Sequence, residues 1–338
     1  MMKITVVIPH FNGIEILRNS FKEFTTLVID NGSTDGSQDF VHKEFPQVKL
    51  IENQKNLGFA GGCNQGMRLS TTPYILLLNN DTEMPDNFLA DMLNAIEKDG
   101  KIAMVQPKIL SIQEKSMFDY SGGAGGELDI FGYPFARGRI FDDVEKDNKQ
   151  YDKMDENCFW TSGCALLLRK SVIDEIGYLD EDFFAHQEEI DLNWRAFLAG
   201  YRNIVTTKTF IYHYSGYTLR SDNQRKMFLN HRNNVIMMIK NYSLLWLMLL
   251  LPVRIVLEFI TVAADYFLWE GYRAKAVLQA LIDIFRNIGS IIEKRKDIQK
   301  LRRVPDRKIL KNMYKGSIVF AHFIRRKKPN QCVSAFRN

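Results

Sequence analysis

The run Ile75-Leu76-Leu77-Leu78 passes without transition into Asn79-Asn80-Asp81, and few architectures can hold such a junction. An apolar run of this kind reads as a strand buried on both faces. Three oxygen-bearing side chains follow at its end, then Thr82 and Pro85, which can open a helix over Pro85–Lys98. In an open α/β sheet, ligands bind at the C-terminal ends of the strands. A carboxylate fixed there beside two amides suits a hard divalent cation that holds a phosphate. The plainer reading is that Asp81 and Thr82 only cap the helix.

The flanking sequence has the same character. Lys3–Ile8 and Thr25–Ile29 read as parallel buried strands, and Asp30–Gly36 (DNGSTDG) is a dense turn cluster ahead of a helix over Ser37–Glu44. Val48–Ile51 reads as a third strand. The glycine-rich segment Asn56–Gly66 then enters a helix, but Gly58, Gly61, Gly62 and Gly66 do not fit the dinucleotide-binding GxGxxG spacing. Their expected task is close approach of backbone to a ligand or of a helix to the sheet. Strands and helices alternating at this pitch predict a doubly wound α/β layer. Residues 111–157, with their glycines and a charged run over Asp142–Lys153, predict a long irregular excursion that acts as a lid.

Charge divides the chain. Residues 244–338 carry 19 Lys/Arg against 7 Asp/Glu, whereas residues 1–243 carry 26 against 33. A basic segment seeks anionic partners. Leu244–Val253 is wholly apolar, and that character persists to Trp269, interrupted by Arg254, Glu258 and Asp265. On a helix these three fall within roughly 40° of one another. The prediction is a helix with one thin polar stripe, its uninterrupted run too short to span a bilayer. It fits an anionic membrane surface or a second copy of the chain. No nucleic-acid-binding module accompanies the basic tail. Four scattered cysteines without a CxxC pair, and an N-terminus lacking a signal-like apolar stretch, predict free thiols and a cytoplasmic location.

A second acidic cluster lies at Asp180–Asp191. Phe183-Phe184 should hold it against the core. Glu188, Glu189 and Asp191 then open a helix, where carboxylates suit the dipole. Adjacent carboxylates in a partly buried site also repel, which raises one towards the general-base range. His213 ends a strand-like stretch, Phe210-Ile211-Tyr212, and is a candidate partner for Asp81.

These segments together resemble glycosyltransferase family 2, the inverting enzymes with the nucleotide-sugar-binding GT-A fold, and within it the rhamnosyltransferase-like members. The resemblance covers roughly residues 3–240. It rests on VVIPHFNG (6–13), VIDNGSTDGS (28–37), NLGFAGGCNQG (56–66), LLLNNDTEMP (76–85), SGCALLLRK (162–170), GYLDEDFFAHQEEIDLNWR (177–195) and YHYSG (212–216). It implies that Pro9, Phe11, Asn12 and Asp30 surround the nucleotide base, with Asp30 accepting from a ring N–H of uracil or thymine. Asn56 and Gly58 would line the same pocket. Asn80 and Asp81 would form the DxD-type element, with Asp81 and His213 as ligands of Mg²⁺ or Mn²⁺. Glu189 falls at the general-base position, where the family usually has Asp, flanked by Glu188 and Asp191. Trp160 and Thr161 would lie on the acceptor side.

The expected organisation is a GT-A catalytic domain over 1–220, with a nucleotide-sugar half to about residue 110 and a lid and acceptor half beyond. A connector follows over 221–243, then a basic, apolar helical membrane-associated region over 244–338. The expected reaction moves a sugar, L-rhamnose among the candidates, from a dTDP- or UDP-linked donor to a glycan or polyprenyl-linked acceptor at the inner membrane face. A non-catalytic sugar-binding relative is one alternative. A sugar nucleotidyltransferase is another, but Pro9–Gly13 is a poor match to the glycine-rich basic loop it needs.

Overall fold

The computed structural model describes residues 3–17, 26–214, 224–268 and 270–337. β1 (Ile4–His10) leads into a short helix α1 (Ile14–Leu17), and residues 18–25 lie outside the described residues. Then come β2 (Thr26–Asp30), α2 (Ser37–Glu44), β3 (Lys49–Glu52), α3 (Gly58–Leu69) and β4 (Tyr74–Leu78). The largely apolar β1, β2 and β4 are buried along nearly their whole length, as their sequences demand. β3, β2, β1 and β4 are neighbours in that order and all parallel.

Beyond β4 the sheet becomes mixed. β5 (Thr82–Glu83), α4 (Phe88–Glu97) and β6 (Ile102–Ser111) follow, and α4 starts three residues later than Pro85 suggests. Residues 111–157 are not the irregular excursion that their glycines predict. They fold into a separate four-stranded antiparallel sheet of β7 (Gly126–Leu128), β8 (Pro134–Ala136), β9 (Arg139–Ile140) and β10 (Asp143–Val144). Such short strands have no periodicity to read; their burial comes from the helices that cover them.

The chain then rejoins the main sheet through β11 (Asn157–Cys158) and β12 (Ala165–Arg169), the latter antiparallel between β4 and β6. After α5 (Lys170–Ile176) and α6 (Glu188–Ala199), β13 (Arg202–His213) runs parallel to β6. At its end β13 also pairs with β5, setting His213 opposite Thr82. Apolar clusters cover both faces of this sheet. α3 approaches closely because Gly66 faces Val7; a Cβ there would lie 2.2 Å from Val7 Cγ1.

The C-terminal part is helical: α7 (Gln224–Asn241), α8 (Leu244–Phe267), α9 (Gly271–Arg286), α10 (Ile288–Lys300), α11 (Asp306–Ile309), α12 (Ile318–Phe323) and α13 (Pro329–Arg337). It does not stand apart. Ile318, Ala321, Cys332 and Val333 pack on Phe135 and Ile140 of the small sheet, and Arg337 pairs with the buried Glu127 at 2.6 Å.

α8 bears out the polar stripe: Arg254, Glu258 and Asp265 are all buried. The helix runs through all three charges for 24 residues, as the stripe requires. Although its uninterrupted apolar run is short, the whole helix is long and apolar enough, by length and composition, to cross a membrane. Its stripe is nevertheless spent on the protein. Arg254 pairs with Glu258, donates to Phe131 O at 2.8 Å, and contacts Asn234 Oδ1 of α7. The opposite face exposes Leu245, Met248, Leu249, Val256, Phe259 and Ile260. Trp269, at the end of the apolar stretch, lies outside the described residues.

Candidate active site

The C-terminal ends of β1, β2 and β4 form the floor of a cleft, as the order of a wound sheet requires. At the end of β2, Asp30 is buried. Its Oδ1 accepts from the backbone N–H groups of Gly32 (3.0 Å) and Ser33 (2.9 Å) and from Gln38 Nε2 (2.7 Å). Its Oδ2 is enclosed without a partner. A buried acceptor left open costs free energy, and it suits a ligand N–H.

Beside it, Asn12 is held at φ 54° by reciprocal bonds. Its N–H donates to Ser33 Oγ, and its Oδ1 accepts from the Thr34 N–H, both at 2.9 Å. Phe11 is exposed next to Asn12, and Pro9 is the last residue but one of β1, ahead of the buried His10. Asn56 Oδ1 accepts the Gly58 N–H at 2.8 Å and so holds the turn that leads into α3. The sheet thus brings Pro9, Phe11, Asn12 and Asp30 to one rim, with Asn56 and Gly58 on the adjoining loop.

The Asn79-Asn80-Asp81 element leaves β4 beside this rim. Asn80 bonds His10 Nδ1 through its Nδ2 at 2.8 Å. The β5–β13 pairing brings Asp81 to His213: Oδ1 lies 3.2 Å from Nε2, and the Asn79 amide lies 3.3 Å from the same nitrogen. The other ring nitrogen, Nδ1, meets Asp119 Oδ1 at 3.0 Å. Burial opposes charge on this imidazole, but its two carboxylate partners overcome that and raise its pKa to about 10. Asp119 is a functional candidate that sequence reasoning missed. Its only signal was an acid two residues ahead of the Ser121-Gly122-Gly123 turn.

Asp81 and His213 fit a metal by donor type. An oxygen and an imidazole nitrogen face each other across 3.2 Å, and a second carboxylate steadies the far side of the ring. Among the described residues no group of three or more His, Cys, Asp or Glu side chains could enclose an ion. The pair therefore fits a cation only where a ligand's oxygens complete its coordination.

The acidic cluster opens α6. Phe184, His186 and Gln187 have positive φ values of 62°, 70° and 73°, each costing of order 1–3 kcal/mol and held only by surrounding structure. Asn233 of α7 supplies much of that hold. Its Nδ2 lies 2.9, 3.0 and 2.8 Å from the carbonyls of Phe183, Ala185 and His186. On the other side, Phe184 O accepts from Ala60 N–H at 3.2 Å. Gly58, at φ 75°, makes room for it; a Cβ would stand 2.4 Å from that oxygen.

The loop delivers Glu188 and Glu189 with Oε2 of each enclosed and unpartnered. Burial raises both, Glu188 well above the carboxylate range and Glu189 to about 7, and the neighbouring Glu189 raises Glu188 further. Asp191 has a different fate. It is fully buried and binds Arg195 at 3.0 Å, Lys240 at 3.1 Å and Asn241 at 2.8 Å, so its carboxylate is committed to packing α6 against α7. The cleft is shared: the Cys164 thiol, pushed up mainly by burial, also feels Asp119, Asp81 and Glu189.

Trp160 and Thr161 sit below the cleft. Trp160 is buried, its ring packs on Gly126, and its indole N–H donates to Glu127 O at 2.8 Å. Thr161 is buried and its hydroxyl donates to Asn193 Oδ1 at 2.8 Å. All four cysteines are free thiols and buried.

Comparison with known proteins adds family and fold. The family described as "Glycosyl transferase family 2" matches residues 5–177. An N-acetylglucosaminyl-diphospho-decaprenol L-rhamnosyltransferase of Mycobacterium tuberculosis is 22% identical over 237 residues, covering 66% of this chain and 76% of its own. Among solved structures, GalNAc-T7 with UDP, GalNAc and Mn²⁺ superposes with a TM-score of 0.56 at 16% identity, over 71% of this chain and 48% of that one. A mannosyltransferase from Pyrobaculum calidifontis with GDP-Man and Mn²⁺ gives 0.52 at 14% identity, over 92% and 86%. The chain spans about half the length of the first of these structures.

Proposed function

The chain belongs to glycosyl transferase family 2, and from that premise we propose that it is an inverting glycosyltransferase whose base is Glu189 and whose diphosphate-binding centre is Asp81 with His213. Its fold is GT-A. The reading is carried by one observation: Glu188 and Glu189 each keep one enclosed, unpartnered carboxyl oxygen, and the Cys164 thiol feels Glu189 together with Asp81 and Asp119, the two carboxylates that flank His213.

The chemistry follows from those positions. Asp30 Oδ2 takes a ring N–H of the base, and Asn12, Asn56 and Gly58 line the nucleoside pocket. A sugar hydroxyl is a poor nucleophile until a carboxylate removes its proton. A pKa near 7 lets Glu189 accept that proton at neutral pH. Attack from the base's side expels the nucleoside diphosphate from the opposite face, which inverts the anomeric carbon. A divalent cation, Mg²⁺ or Mn²⁺, on Asp81 and His213 would offset the charge that develops on the departing diphosphate. Asp119 fixes the orientation of the His213 ring, and Asn80 links this element to His10.

The M. tuberculosis relative supports L-rhamnose as the transferred sugar and a polyprenyl-diphosphate-linked glycan as the acceptor. An acceptor of that kind fits an enzyme working at the cytoplasmic face of a membrane. The exposed apolar face of α8 and the basic balance of residues 244–338 suit that surface. Transfer is tested with a panel of nucleotide-sugars, reading nucleoside-diphosphate release with Mn²⁺ or Mg²⁺ present. Release from one donor, lost in Glu189→Gln, is the expected result. Donor binding without turnover of any sugar would instead mark a sugar-binding relative.

A further inference from the structure

α7 and α9 run side by side, and between the start of one and the end of the other lies a groove of about 700 Å³. Gln224, Arg225 and Phe228 line one wall; Ile282, Asp283 and Arg286 line the other. The groove combines two kinds of surface. Arg225 and Arg286 are exposed and bring two guanidinium groups, the side chain best shaped for bidentate phosphate contacts. Among the described lining residues the one carboxylate, Asp283, is offset by Arg232, whose Nη1 is 3.7 Å away. Phe228 and Ile282 supply apolar wall.

The groove opens in two useful directions. Towards the cleft, Arg225 lies over the ring of Phe184, 4.3 Å from its centroid. Phe184 is the residue at positive φ that begins the turn into Glu188 and Glu189. Outwards, α9 and α10 continue as an exposed apolar stripe of Leu278, Ile282, Phe285, Ile288 and Ile292, beside the exposed face of α8. A ligand with an anionic head and a long apolar tail matches this sequence of surfaces: guanidinium groups nearest the base, hydrocarbon leading away from it.

We propose that this groove is the acceptor subsite, in which Arg225 and Arg286 bind the diphosphate of a polyprenyl-diphosphate-linked glycan while Phe228, Ile282 and the α9 stripe receive its isoprenoid tail. The glycan end then projects past Phe184 towards Glu189. The assignment rests on the transferase reading above, and its test separates the two.

The test measures binding of farnesyl diphosphate, inorganic pyrophosphate and UDP, the last with Mn²⁺, to the full-length protein and to two variants at exposed positions. The wild type should bind farnesyl diphosphate at least tenfold more tightly than pyrophosphate, with UDP unable to displace it. Arg286→Glu should weaken farnesyl diphosphate tenfold or more and leave UDP within twofold. Ile282→Ser should reduce farnesyl diphosphate towards the pyrophosphate level, showing that a tail is held and not a free phosphate alone. Three outcomes overturn the subsite: no preference over pyrophosphate, displacement by UDP, or farnesyl diphosphate binding unchanged in both variants. If UDP and other nucleoside diphosphates fail to bind the wild type, the transferase reading falls, whichever way the farnesyl result goes.

Discussion

Enclosure of the Glu189 carboxyl moves its pKa from 4.5 to about 7, and the cost of that shift sets two expectations at the level of single residues. The first is kinetic. Transfer should rise with pH through about 7 as the base loses its proton, and Glu189→Gln should lower kcat by about 10²–10⁴-fold with donor affinity nearly unchanged. A loss under about threefold would move the role to Glu188. The second is thermodynamic. Below pH 4.5 the group is protonated in folded and unfolded chains alike. Between there and 7 only the unfolded chain gives up its proton, so rising pH removes stability. Glu189→Gln should therefore raise Tm relative to wild type at pH 8 and have little effect at pH 4, as thermal melts across that range would reveal. Asp119 belongs to the same scale. Asp119→Asn should weaken Mn²⁺-dependent nucleoside-diphosphate binding about 10–100-fold, the usual cost of losing the group that orients a ligating histidine. Equal diphosphate affinity in Mn²⁺ and in EDTA for the wild type would remove the metal from the scheme.

Among elements, the strained turn into α6 depends on two neighbours that do no chemistry. Asn233 reaches it from α7 and binds three of its carbonyls; Gly58 clears space for it from α3. Each hydrogen bond contributes a net of about 0.5–1.5 kcal/mol, comparable with the strain at one left-handed residue. Asn233→Ala should release the turn and reduce kcat roughly tenfold or more, with UDP binding retained, because Asp30 and Asp81 stand on other elements. Gly58→Ala meets both a φ of 75° and the Phe184 carbonyl, so it should lose turnover and also lower Tm. Kinetics and melts on the same preparations separate the two mechanisms.

Across the whole molecule, charge and apolar surface lie on the same C-terminal helices. Exposed patches on soluble monomers rarely exceed a few hundred Å², and a run of large apolar side chains along α8 and α9 calls for a covering partner. Full-length protein should bind anionic liposomes, with a part lost on raising salt, since surface charge is screened within roughly 8–10 Å, and a part that persists. The double change Phe259→Asp and Ile260→Asp, on the outer face of α8, should remove the salt-resistant part while Tm holds. Deleting residues 244–338 is a poor test of the same idea. α12 and α13 cover the small sheet and Arg337 neutralises Glu127, so the remainder would lose core as well as membrane contacts. If liposomes do not bind at low salt, the apolar face is a contact between protein copies.

The sequence by itself determined the wound sheet, the turn-rich strand ends at Asp30 and Asp81, and the polar stripe of α8. Those features are local: unbroken apolar runs make buried strands, turn residues mark strand ends, and residues at helical spacing share a face. Tertiary structure alone decided which acidic residues keep a free carboxyl. Glu188, Glu189 and Asp191 are equivalent in sequence, but Lys240 and Asn241, some fifty residues away, claim Asp191, whereas one carboxyl oxygen of each glutamate stays enclosed without a partner. The same holds for Asp119, whose role exists only because β13 carries His213 alongside β6 and across from β5. It holds for Trp160, whose ring is spent on Gly126, and for residues 111–157, whose short strands become a sheet when helices from the far end of the chain cover them. Pairing between distant segments leaves no local period, so these outcomes depend on the fold.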